Sequence, residues 1–178
     1  MEDFSGELDE RGRHYLERLR SGATRMGEMI DALLMLSRLT RGEVARRPVD
    51  LGELARECLA SLRQEQPERL VELQLSGDLV VSGDEGLLRI LMGNLLGNAW
   101  KFTRTRELAR IEVGAEAQGE GRVVHVRDNG VGFDPNYAER LFVPFQRLHS
   151  ADEFEGQGIG LATVQRIVNR LGGTIWAR

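Results

Sequence analysis

The sequence predicts an α+β protein, a two-layer α/β sandwich preceded by a long amphipathic helix. Three observations lead to this fold class. Near the N-terminus, apolar residues recur at alternating four- and three-residue steps, as in a helix that lies along a partner helix. After residue 50, helical periodicity alternates with short strand-like runs. Two of those runs flank a glycine-containing turn, which indicates an antiparallel hairpin, and this mixture is typical of helices packed on a sheet.

The first element is a helix predicted from Leu8 to Leu39. Its apolar seam consists of Tyr15, Leu19, Gly22, Met26, Met29, Leu33 and Leu36. A helix of this length cannot bury the seam on itself, so we expect a partner helix and a homodimer formed through this region. The chain is accordingly divided into a helical region at 1–42, a linker at 43–50 with a solvated pair Arg46-Arg47, and a second domain at 51–178.

The second domain is expected to alternate helices with strands. Asp50 and Asp84 have the side chains and positions of helix N-caps. The strand Val71–Leu75 is expected to turn at Gly77-Asp78 and return as Leu79–Val81. The remaining elements are helices at 51–64, after Asp84, at 137–141 and at 161–171, strands at 111–115 and 123–126, and another strand that begins at Thr174.

Composition excludes several classes of function. The net charge of -4 leaves no basic footprint for nucleic acid. The single cysteine, Cys58, rules out an internal disulfide and fits a reducing cytoplasm. The N-terminus lacks the features of a signal peptide, and no apolar run approaches the ~20 residues that span a bilayer. We therefore expect a cytoplasmic protein with no membrane segment in this chain.

The most informative stretch runs from Asn94 to Thr103. Asn94, Asn98 and Lys101 stand at i, i+4 and i+7, which places their side chains on one helix face. An amide oxygen is a hard, neutral ligand for Mg²⁺, and a lysine meets phosphate oxygens as a point charge. The stretch therefore suits a polyphosphate with a divalent cation. An alternative interpretation of this stretch is an ordinary amphipathic helix whose polar face meets solvent. Its apolar face towards the core would then consist of Leu88, Leu91, Leu95 and Phe102.

Three further segments follow in a fixed order. They are Asp128–Phe133 after a strand-like run, Leu141–Arg147, and Gly156–Leu161 at the start of an apolar helix. Together with Asn94–Thr103 they resemble the N, G1, F and G2 boxes of the histidine kinase ATP-binding domain. That domain belongs to the superfamily of gyrase-type topoisomerases, heat-shock chaperone ATPases, histidine kinases and mismatch-repair ATPases. The resemblance covers about 51–178, is strongest to phytochrome-type kinases, and implies the Bergerat-type ATP-binding fold.

The resemblance also implies a role for each matching residue. Asn98 is the Mg²⁺ ligand, Asp128 accepts a hydrogen bond from the adenine amino group, and Asn94, Lys101 and Arg147 form the catalytic group around metal and phosphates. The residues expected to bind the nucleotide are Asn94, Asn98, Lys101, Asp128, Gly130, Gly132, Phe145, Arg147, Gly156, Gly158, Gly160 and Leu161. Taken singly, these motifs also fit a turn-forming aspartate, a glycine loop without a ligand and a solvated arginine.

Between Gly132 and Gly156 the chain resembles the ATP lid of the family. Phe142 and Phe145 are expected to anchor this segment by burial. His125 is interpreted as a structural residue of a strand, and no metal-ligand spacing surrounds His149.

The function implied is transfer of the ATP γ-phosphoryl group to a histidine outside this chain, and from there to an aspartate of a response regulator. ATP and Mg²⁺ are the cofactors. His14 is followed by neither an acidic residue nor a proline, so the N-terminal helix resembles the second helix of the dimerisation hairpin. The second domain is also expected to lack its last strand. Asn94 stands where gyrase and chaperone ATPases place a glutamate, so slow hydrolysis is expected, because a neutral amide is no general base.

Two alternatives belong to other classes of function. One is a nucleotide-binding or dimerisation module with no kinase activity, which damage to the boxes would indicate. The other is a serine/threonine kinase of the anti-sigma type, which shares the pocket. The long heptad arm argues against the second alternative, because such kinases carry no hairpin of this kind.

Overall fold

The structure is a computed structural model that describes residues 11–13, 15–16, 18–20, 22, 26–27, 44–119, 121–148, 153–154 and 156–178. The chain divides into two units, Met1–Arg38 and Leu39–Arg178. In the first unit, every described residue is helical, and the seam residues Tyr15, Leu19 and Met26 are exposed. Met29, Leu33 and Leu36, together with both predicted ends of the helix, lie outside the described residues.

The second unit contains the predicted alternation of strands and helices. The aspartate caps are confirmed, since Asp50 Oδ1 accepts from the Gly52 N–H at 2.7 Å and Asp84 Oδ1 from the Leu87 N–H at 3.1 Å. Its described elements are β1 (Arg47–Asp50), α1 (Leu51–Glu65), β2 (Val71–Ser76), β3 (Val80–Gly83), α2 (Glu85–Phe102), β4 (Ala109–Gln118), β5 (Gly121–Asp128), a 3-10 helix (Pro135–Phe142) and α3 (Gly160–Arg170).

The strands form two sheets. β1 pairs antiparallel with β3, whereas the second sheet has the order β2-β4-β5, with β2 parallel and β5 antiparallel to β4. The hairpin of β4 and β5 is confirmed, but a hairpin of β2 with β3 is wrong. Gly77, at φ +75, turns the chain out of β2, and a Cβ there would collide with the Ala115 carbonyl oxygen of β4. Alternation predicts a strand but does not say which neighbour it pairs with.

The segment at 43–50, predicted as a linker, contains β1. Its basic pair is also engaged rather than only solvated. Arg46 Nη2 donates to the Leu171 carbonyl at 2.9 Å, and Arg47 pairs with Glu85 at 2.5 Å. The Ala45 N–H donates to Asp84 Oδ2 at 3.3 Å. The segment before β1 is therefore attached to the start of α2 and the end of α3.

The core lies between the three-stranded sheet and a layer of helices, as expected for a two-layer sandwich. α2 packs against both α1 and α3 and also contacts β4 and β5. Because neighbours cover it on two sides, Leu96 is fully buried, whereas Leu95 of the predicted stripe is only half-buried. The largest fully buried apolar side chains are Leu59, Met92, Leu96, Ile111, Val113, Val164 and Ile167.

Of the two predictions for the C-terminal part, one is confirmed and the other is wrong. α3 ends as predicted at a glycine, because Gly172 has φ +85 and the Gly173 N–H donates to the Val168 carbonyl at 2.9 Å. The strand predicted from Thr174 is wrong, since residues 174–178 have no regular structure and Trp176 is exposed. Across the described residues, no helix combines the length and apolarity needed to cross a membrane.

Candidate functional site

A cavity of about 350 Å³ lies between the C-terminal half of α2, the segment at 141–148 and the loop that leads into α3. Most of the residues singled out from the sequence meet there. Its lining residues are Asn94, Asn98, Lys101, Phe102, Leu141, Gln146, Arg147, Leu148, Phe154, Gly156, Gln157, Gly158, Ile159, Gly160 and Leu161. This size is at the lower end of the range for small-molecule sites, roughly 300–1,000 Å³.

The two asparagines of α2 have different surroundings. Asn94 Nδ2 donates to the Ile90 carbonyl at 2.8 Å, and its Oδ1 faces Gly160, where an added Cβ would lie 2.8 Å away. Asn94 therefore sets how closely α3 approaches α2. Asn98 Oδ1 has only a long contact, 3.4 Å, to Lys101 Nζ. Of the two amide oxygens, that of Asn98 is better placed to ligate a cation.

Lys101 is the only lysine in the sequence, which contains 23 arginines. Burial, and after it the positive charge of Arg147, lower the pKa of Lys101. The Lys101 ammonium lies 4.2 Å from the centroid of the Phe102 ring, and Arg147 donates to the Phe154 carbonyl. The described residues that line the cavity include no carboxylate. Lys101 thus sits where an incoming anion would favour its charged form.

The glycine-rich loop adopts backbone conformations that other residues rarely adopt. Gly156 has φ +134 and Gly158 has φ +73. The Gly158 carbonyl accepts from the Phe145 N–H at 2.9 Å, and a Cβ on Gly158 would lie 2.5 Å from the Gln146 carbonyl oxygen. Among the described residues, no side chain caps the N-terminus of α3, which begins at Gly160. Its first amides and the helix dipole favour a phosphate at this place.

Asp128 ends β5 and starts the turn that also contains Gly130 and Gly132. Its Oδ1 accepts from the Gly130 N–H at 2.8 Å, and the Val131 N–H donates to the Phe102 carbonyl at 3.2 Å. Burial raises the pKa of Asp128, although its side chain remains open to solvent. None of the three lines the cavity itself; the turn adjoins the cavity through Phe102. Gly130 has no room for a Cβ, which would lie 2.5 Å from the Phe102 carbonyl oxygen.

The lid segment, residues 133–155, is partly as predicted. Its helix is the 3-10 helix at Pro135–Phe142, and Phe142 is buried. The prediction that Phe145 is buried is wrong, because the residue is 44% exposed. Its backbone has φ +65. The hydrogen bond from its N–H to Gly158 holds the backbone in this conformation. Phe145 also does not line the cavity.

Phe154 is the second buried aromatic residue of the lid segment, the role that was expected of Phe145. The sequence analysis did not identify Phe154. The side chain is 5% exposed, and its ring centroid lies 5.0 Å from that of Phe102 in an edge-to-face arrangement. Arg104 covers the same ring, with its guanidinium carbon 4.6 Å from the centroid. The available signal was an aromatic residue in an acidic, glycine-bounded stretch.

Of the three histidines, only His125 is among the described residues, and it does not line the cavity. His125 is in β5, where its Nε2 lies 3.3 Å from Glu112 Oε1, in keeping with a structural residue. His14 and His149 lie outside the described residues. Within the described ranges no group of three or more His, Cys, Asp or Glu side chains could hold a metal ion.

Comparison with known proteins identifies the family of the second domain. Residues 83–178 match the profile of the "Histidine kinase-, DNA gyrase B-, and HSP90-like ATPase" family. The phytochrome-like protein Cph1 of Synechocystis is 32% identical over 173 residues, which are 97% of this chain but 23% of that protein. The chain therefore spans about a quarter of that relative's length.

Two solved structures are also similar. Full-length ShkA in complex with AMPPNP has a TM-score of 0.66 at 28% identity, over 95% of this chain and 36% of that one. The mycobacterial sensor histidine kinase MprB has a TM-score of 0.61 at 26% identity, over 74% of this chain and 84% of that one.

Proposed function

The chain belongs to the histidine kinase-, DNA gyrase B- and HSP90-like ATPase family, and on this premise we propose that it is the ATP-binding catalytic part of a two-component sensor histidine kinase. Its solved and curated relatives include sensor histidine kinases and a phytochrome-like protein, which agrees with the resemblance read from the sequence. The proposed reaction transfers the γ-phosphoryl group of ATP to a histidine nitrogen outside this chain. A response-regulator aspartate then receives the group.

The observation that carries this proposal is the position of Lys101. The chain's single lysine is half-buried beside Arg147, at a cavity that also contains a glycine loop and a helix N-terminus that no described side chain caps. A buried cation with a lowered pKa is costly in the free protein, and an anion relieves that cost. Among cellular ligands, a nucleotide triphosphate supplies several anionic oxygens and a base in one molecule.

The remaining residues fit a magnesium-bound adenine nucleotide. Asn98 would supply one oxygen ligand to Mg²⁺, and the phosphates most of the others, because Mg²⁺ sites on nucleotides use few protein ligands. When bound, the metal neutralises charge that develops on the transferring phosphoryl group. Gly156, Gly158, Gly160 and Leu161 form the phosphate loop and the start of its helix. Asp128 accepts from the adenine amino group, since an ionised carboxylate is an acceptor only.

The residues of this chain bind and orient the nucleotide and leave the nucleophile to another part of the kinase. Asn94 carries a neutral amide and cannot take a proton from water, so hydrolysis without an acceptor is slow. Lys101 and Arg147 face the outer phosphates and stabilise their charge as the bond to ADP breaks. An incoming histidine nitrogen forms the new bond to phosphorus in line with the leaving oxygen.

We further propose that residues 1–42 correspond to the second helix of a dimerisation hairpin, followed by the short connection at 43–50. The described part of this helix exposes three apolar seam residues, which supports an apolar partner in this region. They are Tyr15, Leu19 and Met26. The partners are then a second copy of the kinase and a response regulator receiver domain. ATP and a receiver domain both point to the bacterial cytoplasm as the compartment.

The test uses the 178-residue chain, Mg·AMPPNP and γ-³²P-labelled ATP. Calorimetry should detect Mg·AMPPNP binding, and Asp128→Asn should abolish most of it. The chain alone should incorporate no label, whereas a separately produced hairpin that carries an acceptor histidine should be labelled when both are mixed. Absence of nucleotide binding would refute the pocket. Binding without transfer to any hairpin would favour a nucleotide-binding module, and label on His14 would refute the assignment of the helix.

A further inference from the structure

Arg106 holds the turn after β5 from outside the cavity. Its Nε donates to the Asn129 carbonyl at 2.6 Å and its Nη2 to the Gly130 carbonyl at 2.8 Å. A guanidinium is a planar fork whose donors can engage two acceptors at once, so the contact fixes orientation as well as distance. Arg106 does not line the cavity and belongs to none of the four boxes.

One peptide unit connects this contact to Asp128. The peptide between Asn129 and Gly130 accepts from Arg106 Nε at its carbonyl and donates to Asp128 Oδ1 at its N–H, over 2.8 Å. Because a peptide unit is planar, a donor that fixes the carbonyl also fixes the direction of the N–H. A charged donor on the carbonyl also polarises the N–H and strengthens its hydrogen bond to the carboxylate.

The backbone of Arg106 is bonded to the residue that follows α2. The Arg106 N–H donates to the Thr103 carbonyl at 2.9 Å. Thr103 is fully buried, and its hydroxyl donates to the Ala99 carbonyl at 2.7 Å and accepts from Arg69 at 2.8 Å. The guanidinium therefore reaches the turn from an ordered backbone position four residues past the end of the helix that carries Asn98 and Lys101.

The hydrogen bonds of Asn129 leave one part of the turn free to rotate, namely the peptide unit between Asn129 and Gly130. Its Oδ1 accepts from the Arg110 N–H at 2.9 Å, its Nδ2 donates to the Leu108 carbonyl at 3.1 Å, and its own N–H donates to the Arg110 carbonyl at 3.2 Å. These contacts fix Asn129 up to its Cα. The next peptide unit leads into Gly130, which has no side chain to restrict its rotation. Apart from Asp128 itself, Arg106 is the described side chain that bonds to that unit, through the Asn129 carbonyl.

We propose that Arg106 is a positioning residue for base selection: by fixing the Asn129–Gly130 peptide it aims the Asp128 carboxylate at the 6-amino group of adenine. The inference rests on the proposed function, because it needs a purine nucleotide in the cavity. Among the described residues Asp128 Oδ2 accepts no hydrogen bond, so it remains available to the amine while Oδ1 is held by Gly130. Without Arg106 the carboxylate keeps its charge but loses its fixed direction.

The experiment compares Mg·ATP with the magnesium complex of purine riboside triphosphate, which differs from ATP only by lacking the 6-amino group. Kd values are measured by calorimetry for the wild-type chain, Arg106→Gln, Arg106→Lys and the matched control Arg110→Gln. Arg110 lies four residues away, and its guanidinium instead pairs with Glu72 at 3.4 Å on the sheet. Melting temperatures of all variants report whether each is folded.

The expected result is selective. Arg106→Gln weakens ATP about tenfold, the size of one hydrogen bond to a charged acceptor, and changes purine riboside triphosphate by less than about twofold. Arg106→Lys keeps one charged donor and falls between wild type and Gln, while Arg110→Gln changes neither ligand. Equal weakening of both nucleotides in Arg106→Gln, or an unchanged preference for ATP, overturns the role of Arg106 and leaves the pocket intact. A wild-type chain that binds neither nucleotide overturns the proposed function as well.

Discussion

Replacing Lys101 by methionine removes the only ammonium side chain of the protein and keeps a flexible, apolar stem of similar length. In the free protein, burial and the charge of Arg147 both disfavour the ammonium, as its lowered pKa shows. In a complex with a triphosphate, the same ammonium would meet anionic oxygens. The substitution should therefore separate nucleotide affinity from the stability of the free protein.

The two effects have different sizes. A hydrogen bond between charged groups contributes about 1.5–3 kcal/mol, so Mg·ATP should bind roughly 10- to 150-fold more weakly to Lys101→Met. In the free protein, the variant loses the contact of Nζ with the Phe102 ring at 4.2 Å and the long contact with Asn98, but it also loses the repulsion from Arg147. Because these changes oppose each other, the melting temperature should stay within about 2 °C of wild type.

Calorimetry gives the affinities and thermal melts give the stabilities. A protein with a single lysine, labelled with [¹³C]lysine, shows one ε-methylene signal, and its titration reports the pKa of Lys101 directly. That pKa should lie below the ordinary lysine value, rise when Mg·ATP is added, and rise in Arg147→Gln. Unchanged ATP affinity in Lys101→Met, or a titration like that of a solvent-exposed lysine in the wild type, would refute the electrostatic reasoning.

Three further outcomes are expected. Gly158→Ala should weaken Mg·ATP at least tenfold, because φ +73 and the Gln146 carbonyl, 2.5 Å from an added Cβ, force the lid segment and the glycine loop apart. Gly93→Ala, on an exposed face of α2 with nothing within 4 Å of the new Cβ, should leave the Kd unchanged and raise stability by about 0.5–1 kcal/mol in chemical denaturation. The preference for ATP over purine riboside triphosphate should fall as the pH is lowered through the raised pKa of Asp128, because the protonated acid is a weaker hydrogen-bond acceptor. This loss should begin at a higher pH than for an ordinary aspartate. A preference that stays constant from neutral pH down to the pH of unfolding would contradict it.

The parts of the site that sequence predicted are those for which chemistry restricts the residue type. Gly158 and Gly130 lie where a Cβ would meet backbone atoms, and a pattern of glycines reveals such places. Asp50 and Asp84 were recognisable because few residues cap a helix. α2 was recognisable from its period, and its period brings Asn94, Asn98 and Lys101 to one cavity.

What sequence did not predict depends on the partner of a residue rather than on its type. The strand at Val71–Ser76 was expected to pair with its neighbour in the chain, but it pairs with Ala109–Gln118. Phe145 and Phe154 are both aromatic residues in the lid segment, but Phe145 is exposed, with its N–H bonded to the Gly158 carbonyl, whereas Phe154 is buried against Phe102. Arg106 resembles any exposed arginine until the carbonyls that it contacts are known.

Arginine and lysine make different contacts among the described residues of this protein, whose sequence contains 23 arginines and one lysine. Several arginines donate to backbone carbonyls of distant segments; these include Arg46 to Leu171, Arg63 to Val71, Arg106 to Asn129 and Gly130, and Arg122 to Asp78 and Val80. A planar fork suits that purpose, because it fixes the direction of a carbonyl as well as its distance. The proposed reaction has a different requirement, since a phosphoryl group in transfer changes its distance to the cations beside it. An ammonium on a flexible stem, with three donors that rotate together, can follow such a movement at Lys101, whereas the Arg147 guanidinium at the same cavity is also engaged with the Phe154 carbonyl.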